Sequence, residues 1–431
     1  MVRVHSSPPD NGPLVKWLNT YAFHAYIHGF KSRTGHQRDR KTNINWFFLL
    51  HIWYNLHKEV VKMIYFDYSA TTKPDEDVIK RFNELANKFY ANPNSHYDLA
   101  IKSNDQIIAA TSIIANFFGV NLNEIIYTSG ASESNNLAIK GIVENYPNKQ
   151  IISTKLEHSS IITPLGYLQK KGYKVSFVDL NEDGTIKIDH LKELLKEDTI
   201  LVSIGYVSSE LGIVQPIDEI GELLKKYPHT YFHSDITQAV GKINIDLTNV
   251  DLASFSGHKF YCLKGIGGLI KKNSIPLIPL IHGGRSVTNY RSGTPQTELI
   301  GSMGFAINKI EKLDELKLNV TKLNQTIVNH LSKYPNIKTN STDKSIPHIL
   351  NLSILNHNSD DIQKYFADHE IYLSTKTACS NDGTYSTAIY ELYSSIERAE
   401  SSIRISLSKY SSLNEVTKFL EVLDQFMELK S

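Results

Sequence analysis

A lysine directly follows Ser-Gly-His in Ser254-Phe-Ser-Gly-His-Lys-Phe260, in a short loop after an apolar stretch. An amine that attacks a carbonyl must be partly neutral, so its site has to lower a pKa of about 10.4. Ser256 and His258, beside Lys259, are candidate donors to a phosphate. A second group is His233-Ser-Asp-Ile-Thr-Gln-Ala-Val-Gly241. Asp235 follows the apolar end of a strand, where a carboxylate is costly to bury without a cation. A protonated pyridine nitrogen is one such cation, and Gln238 lies one helical turn further on. Taken singly, Lys259 also reads as a surface lysine and Asp235 as the N-cap of a helix starting at Thr237.

Three further segments add functional types. Thr128-Ser-Gly-Ala-Ser-Glu-Ser-Asn135 is a small strand-to-helix turn whose free N–H groups suit an anion, with Ala131 and the Ser132 hydroxyl in front. His158, in Leu156-Glu-His-Ser-Ser, is placed to stack on a flat cofactor or to move protons. Ser374-Thr-Lys-Thr-Ala-Cys-Ser-Asn-Asp-Gly383 carries Cys379 in a polar loop of small residues, a setting for a thiol that must reach and retreat. Arg404, among apolar neighbours in Ser401-Ser-Ile-Arg-Ile-Ser406, wants a carboxylate from a substrate or from the protein.

The elements that must position these groups alternate strand and helix from about residue 75. Short apolar runs at 124–128, 151–154, 175–178, 200–206 and 230–233 are separated by amphipathic helical stretches such as Ile217–Lys226. That order implies right-handed crossovers and a mainly parallel sheet covered on both faces, an α/β domain over 63–295. A long helical stretch from Gln296 to about Leu331 then leads into a smaller α+β domain over 296–431. It has strands near 348–355 and 403–407, a helix over 360–367 and a terminal helix over 413–427. Part of 63–75 is a candidate to pack with this second domain. A site would sit between the domains, at the carboxyl ends of the parallel strands.

Composition sets the outer bounds. The 431 residues carry a formal net charge of +1, which favours neither nucleic acid nor a membrane surface. Two cysteines, Cys262 and Cys379, exclude a disulfide framework and suit a reducing compartment, here expected to be the cytoplasm. Cys262 reads as a buried or loop thiol, and no metal site is expected. Residues 1–62 differ from the rest: they hold all three tryptophans and nine Lys/Arg against three Asp/Glu. Their apolar run 46–54 is too short to span a bilayer at roughly 20 residues per helix. The segment reads as a non-native extension upstream of a start at Met63, a targeting segment or an appendage.

The ordered set decides more than any member. Asp67-Tyr-Ser-Ala-Thr-Thr72, Ser129–Asn135, Glu157-His158, Asp235-Ile-Thr-Gln238, Ser256-Gly-His-Lys259, Arg291-Ser-Gly-Thr294, Ala378-Cys379 and Ser402-Ile-Arg404 stand in the order found in cysteine desulfurases. From about Ile64 to the C-terminus the chain resembles these class V aminotransferase-like enzymes of pyridoxal 5'-phosphate (PLP) fold type I, with a seven-stranded type of sheet. The resemblance implies that Lys259 carries PLP, Asp235 pairs with the pyridine nitrogen and Gln238 bonds the ring hydroxyl. It implies that His158 stacks on the ring and assists proton transfer. Ala131, Ser132, Ser256 and His258 would hold the phosphate, with Thr294 reaching it from the neighbouring subunit of a homodimer. Arg404 would take the carboxylate of L-cysteine, and Cys379 would take its sulfur for a protein acceptor, an iron–sulfur scaffold or a tRNA-thiolating enzyme.

Several positions depart from the family pattern. Ser208-Ser209 replace two asparagines, the second of which contacts cofactor or substrate, so Ser209 occupies a cofactor position with a shorter side chain. Cys262-Leu263 replace Gly-Pro, Lys376-Thr377 replace Gly-Ser, and the 92–96 stretch is one residue short. The 25-residue separation of Cys379 and Arg404 resembles the branch with a flexible cysteine loop. Two other readings stay open: a PLP lyase acting on selenocysteine or another β-substituted amino acid, and a weakened PLP-fold interaction protein.

Overall fold

The computed structural model describes residues 63–284, 286–310, 313–375 and 385–430. Cys379 and residues 1–62 lie outside them.

The centre is a seven-stranded sheet. Its strands are β2 (Ile125–Thr128), β3 (Gln150–Ser153), β4 (Lys174–Phe177), β5 (Thr199–Ser203), β6 (Tyr231–Asp235), β7 (Leu252–Ser256) and β8 (Gly267–Lys271), in the order β2-β8-β7-β6-β5-β3-β4. The pairs among β3 to β7 are parallel, and β8 runs antiparallel to both β2 and β7. Short β-branched runs form these strands because alternate side chains enter two separate cores. Ile125, Tyr127, Ile152, Val202, Ala253 and Phe255 face one cluster. Ile126, Ile151, Leu201 and Leu252 face the other.

Helices cover both faces: α1 (Glu76–Lys88), α2 (Asp98–Phe118), α3 (Ala131–Val143), α4 (Ser159–Lys170), α5 (Ile188–Leu194) and α6 (Ile217–Leu224). The expected single helical stretch from Gln296 to Leu331 is two helices, α7 (Thr297–Asn308) and α8 (Leu313–Leu331). They part because they serve different cores. Ile300, Met303 and Ile307 of α7 join the first sheet cluster, whereas Val320, Leu323 and Ile327 of α8 join a third. Glycines let α7 sit tightly against α1 and α2. A Cβ on Gly301 would meet Leu85 at 2.4 Å, and one on Gly304 would meet Ala110 at 2.8 Å.

The third cluster lies around the antiparallel sheet of β9 (Ile337–Thr339), β10 (Ile349–Ile354) and β12 (Ser402–Ser406), with α9 (Ser359–Asp368) and α12 (Leu413–Lys430). The first described strand, β1 (Ile64–Tyr65), pairs in parallel with β11 (Ile371–Tyr372). Ile64 and Phe66 are buried in this same cluster. Two short helices, α10 (Thr387–Tyr393) and α11 (Ile396–Glu400), precede β12.

Candidate active site

Five of the parallel-aligned strands end in the same place. The turn after β2 carries Ala131, the loop after β3 carries His158, and the loop after β5 carries Ser209. Asp235 closes β6, and Lys259 ends the short turn after β7. Ala131, Glu157, His158, Ser209, Asp235, Gln238 and Lys259 line one cleft.

Asp235 is held at both oxygens. Asn135 Nδ2 donates to one at 2.8 Å, and the Thr237 backbone N–H donates to the other at 2.9 Å. The second contact is the one an N-cap would make, but turns rather than a helix follow it. Asn135 also donates to Ser160 Oγ at 2.8 Å, and that hydroxyl lies 2.8 Å from His158 Nδ1. His158 caps α4, with Nδ1 accepting the Ser160 N–H at 3.1 Å. Its remaining proton is therefore on Nε2. Burial lowers the His158 pKa, so the ring is neutral. Glu157, next to it, accepts from the Gly205 N–H at 2.9 Å and from the Thr154 hydroxyl at 2.8 Å. Burial pushes its carboxyl up to about 7.

Lys259 Nζ donates to the carbonyls of Ser69 and Ala70, at 2.6 and 2.9 Å. The first described segment is thereby drawn across the cleft. Gln238 Nε2 reaches the same Ser69 oxygen at 2.9 Å. Thr72 donates its N–H and hydroxyl to the His258 carbonyl, and Thr71 lies 3.1 Å from His258 Nδ1. Burial, with Lys259 and Lys264 nearby, depresses the His258 pKa to about 4.

Other expected residues lie off the cleft wall. Ser256 is buried beneath the turn before α3, where a Cβ on Gly130 would come within 3.3 Å of its hydroxyl. Ser132 is exposed at the start of α3, and Thr294 is exposed in a separate depression with Arg291 and Gln296. Arg404 sits behind Ser209. Its guanidinium donates to the Ser209 carbonyl and to Asp67, each at 2.8 Å, leaving Nε buried without a partner. Cys262 is fully buried, and burial raises its thiol pKa to about 12, far from a nucleophile's range. Reading by motif missed what Asn135 and Glu157 do, and missed Lys242, a buried lysine donating to Gln238 Oε1 at 3.2 Å.

Residues 64–419 match the family described as Aminotransferase class-V. The chain belongs to that family. Over 379 residues it is 32% identical to "Cysteine desulfurase IscS" of Clostridium botulinum, covering 85% of this chain and 95% of the relative. The protein of the same description from Buchnera aphidicola is 35% identical over 373 residues, covering 84% and 91%. A solved structure titled "NIFS-LIKE PROTEIN" superposes with a TM-score of 0.81 at 32% identity, covering 85% of this chain and all of that one. Another, titled "SspA in complex with cysteine", has a TM-score of 0.72 at 30% identity and covers 81% of this chain.

The family is PLP-dependent, and the residues present fit that group. The N-terminus of α3 brings Ala131 to the cleft, where the first-turn N–H groups of a helix suit a phosphate, and the Asp235 carboxylate lines the same cleft. Thr237, which lines the cleft, has a buried hydroxyl without a partner, and Asn135, which holds Asp235, has a buried amide oxygen without one. Among the described residues, no helix is long and apolar enough to cross a membrane.

Proposed function

We propose that this chain is a PLP-dependent cysteine desulfurase, converting L-cysteine to L-alanine and passing the sulfur to an acceptor through Cys379. The observation that carries this reading is the convergence of Lys259, Asp235, Gln238 and His158 on one cleft from separate strand ends. When bound, PLP supplies an electron sink for the electrons left at the substrate's Cα.

The protein's own groups do the rest. Lys259 would hold the cofactor, and its amine would move the proton at the substrate's Cα. Asp235, fixed by Asn135 and Thr237, supplies the negative charge facing the pyridine nitrogen. His158, neutral with its proton on Nε2, presents a flat face and a donor. Ala131, Ser132, Ser256 and His258 would hold the phosphate, and Thr294 would complete the phosphate site from the second subunit of a homodimer. Ser209 borders the substrate position with a side chain too short for an asparagine's contact. The Arg404 guanidinium gives two of its five N–H groups to the Ser209 carbonyl and Asp67, so a substrate carboxylate can be bound by the others with both contacts kept.

The sulfur acceptor belongs to the iron–sulfur scaffold or tRNA-thiolating class, and the expected location is the cytoplasm. The test is to measure alanine and sulfide from L-cysteine for the native chain and for Cys379→Ala. We expect a yellow native protein that makes both products, and a yellow variant that makes neither. Full activity in the variant would transfer the reading to a lyase that does not use the thiol. A protein that stays colourless with added PLP would overturn it altogether.

A further inference from the structure

Lys242 is buried at the end of the turn that carries Gln238, four residues after it, and no feature of the catalytic reading employs it. Its Nζ donates to Gln238 Oε1 at 3.2 Å, while Gln238 Nε2 donates to the Ser69 carbonyl at 2.9 Å. An ammonium has three donors and no acceptor, and a carbonyl oxygen has no donor. Flipping the Gln238 amide would therefore set N–H against ammonium and oxygen against oxygen. While Lys242 is an ammonium the two contacts enforce one orientation from opposite sides; as the neutral amine it could also accept, and the Ser69 carbonyl alone then selects it. Ser69 O also receives Lys259 Nζ at 2.6 Å, so the Nε2 edge of Gln238 is the edge next to the cofactor lysine.

We propose that Lys242 is a positioning residue that locks the Gln238 amide with its N–H edge toward the cofactor lysine, so that this side of the cleft offers a donor and never an acceptor. This rests on the reading of Gln238 as the partner of the cofactor's ring hydroxyl. A donor there stabilises the ionised oxygen and makes the adjoining lysine–cofactor nitrogen easier to deprotonate. The groups facing Lys242 are Gln238 on its own turn, Lys259 and His258 from the turn after β7, and His348 before β10. Burial beside Lys259 depresses the Lys242 pKa to about 7. Its charge is thus a rival explanation for any effect, and the experiment has to separate charge from orientation.

The readout is the pH midpoint of the visible absorbance of the PLP-loaded protein, with no substrate present. Lys242→Met should raise the midpoint by about one pH unit, a tenfold change in the proton equilibrium. Lys242→Arg, which keeps a donor, should restore it. The deciding comparison places Lys242→Met in a Gln238→Ala background, where a residue acting only through Gln238 adds no further shift. An equal shift in that background would overturn the proposal in favour of charge alone. A lowered melting temperature with an unmoved midpoint would overturn it in favour of a purely structural lysine. If the methionine variant does not fold, Lys242→Gln takes its place: its amide carries an acceptor beside its donors, so it releases the lock and should raise the midpoint as methionine does. A native midpoint, or a shift equal in both backgrounds, refutes the proposal. A native protein that never gains visible absorbance with PLP would instead sink the cofactor reading on which the proposal stands.

Discussion

The oxygens of Glu157 accept the Gly205 N–H and the Thr154 hydroxyl, and burial is what raises its carboxyl to about 7. Its ordinary value is 4.5, so between 4.5 and 7 the folded chain holds a proton that the unfolded chain has lost. The stability this group contributes is fully present below the lower value and is lost as pH rises through the upper one. Glu157→Gln stays neutral throughout. Urea midpoints of both proteins at pH 5 and pH 8 should show the gap moving in the variant's favour at pH 8, and a constant gap would contradict this assignment. Asp235 supports a second test. Replacing it with alanine removes a charge-assisted acceptor and leaves the Asn135 and Thr237 donors unmatched, a loss of about 2–3 kcal/mol. PLP retention measured by dialysis and absorbance should fall about 30- to 160-fold in affinity, while the far-UV spectrum stays native. Asp235, Gln238, His158 and Lys259 were each legible because their motifs end predicted strands. The Arg404–Asp67 pair was not, because the two residues stand 337 positions apart and no local pattern links them.

At the level of elements, the approach of the turn before α3 to the start of β8 is the tightest feature beside the site. A Cβ on Gly267 would lie 2.6 Å from Gly130 Cα and 2.6 Å from the Phe255 carbonyl, both backbone atoms with no room to give. Gly267→Ala should therefore destabilise the fold by about 1–3 kcal/mol, as overpacking does. It should also weaken PLP binding, because the displaced backbone is the candidate phosphate turn. Thermal unfolding of the protein with and without PLP would show a smaller stabilisation by the cofactor in the variant. Parallel strands flanked by helices were visible in the sequence from their apolar runs and spacing. The antiparallel direction of β8 was not, since a buried strand between two neighbours has the same composition whichever way it runs. The break between α7 and α8 was hidden for a related reason: helical periodicity continues through both, and only the identity of the core each one faces separates them.

For the whole molecule, the first described strand matters out of proportion to its length. Phe66 is fully buried and stacks edge-on against Phe419, while Ile64 joins the same cluster. A chain beginning at Met63 should fold, melt cooperatively and bind PLP. One beginning at Tyr68 loses both apolar side chains and the Asp67 partner of Arg404, and should be destabilised by more than the roughly 3–5 kcal/mol of a single buried phenylalanine. Circular dichroism melts of the two truncations would test this, and equal melting temperatures would refute it. Asp67→Ala alone leaves a nearly buried guanidinium without its carboxylate, with side-chain exposures of 4% for Arg404 and 22% for Asp67 in the native pair. The expected cost is about 3–5 kcal/mol in urea denaturation.

The carbonyls of Ser69 and Ala70 that receive Lys259 come from a segment made some 190 residues earlier, and that segment is itself fastened through Asp67 to a strand near the end of the chain. During synthesis the seven strands of the large sheet can assemble well before β12 has emerged. Until then Asp67 waits without its arginine, and the floor under the lysine is not yet pinned. Competence to take up the cofactor firmly thus follows the emergence of β12 rather than completion of the sheet that contains the lysine.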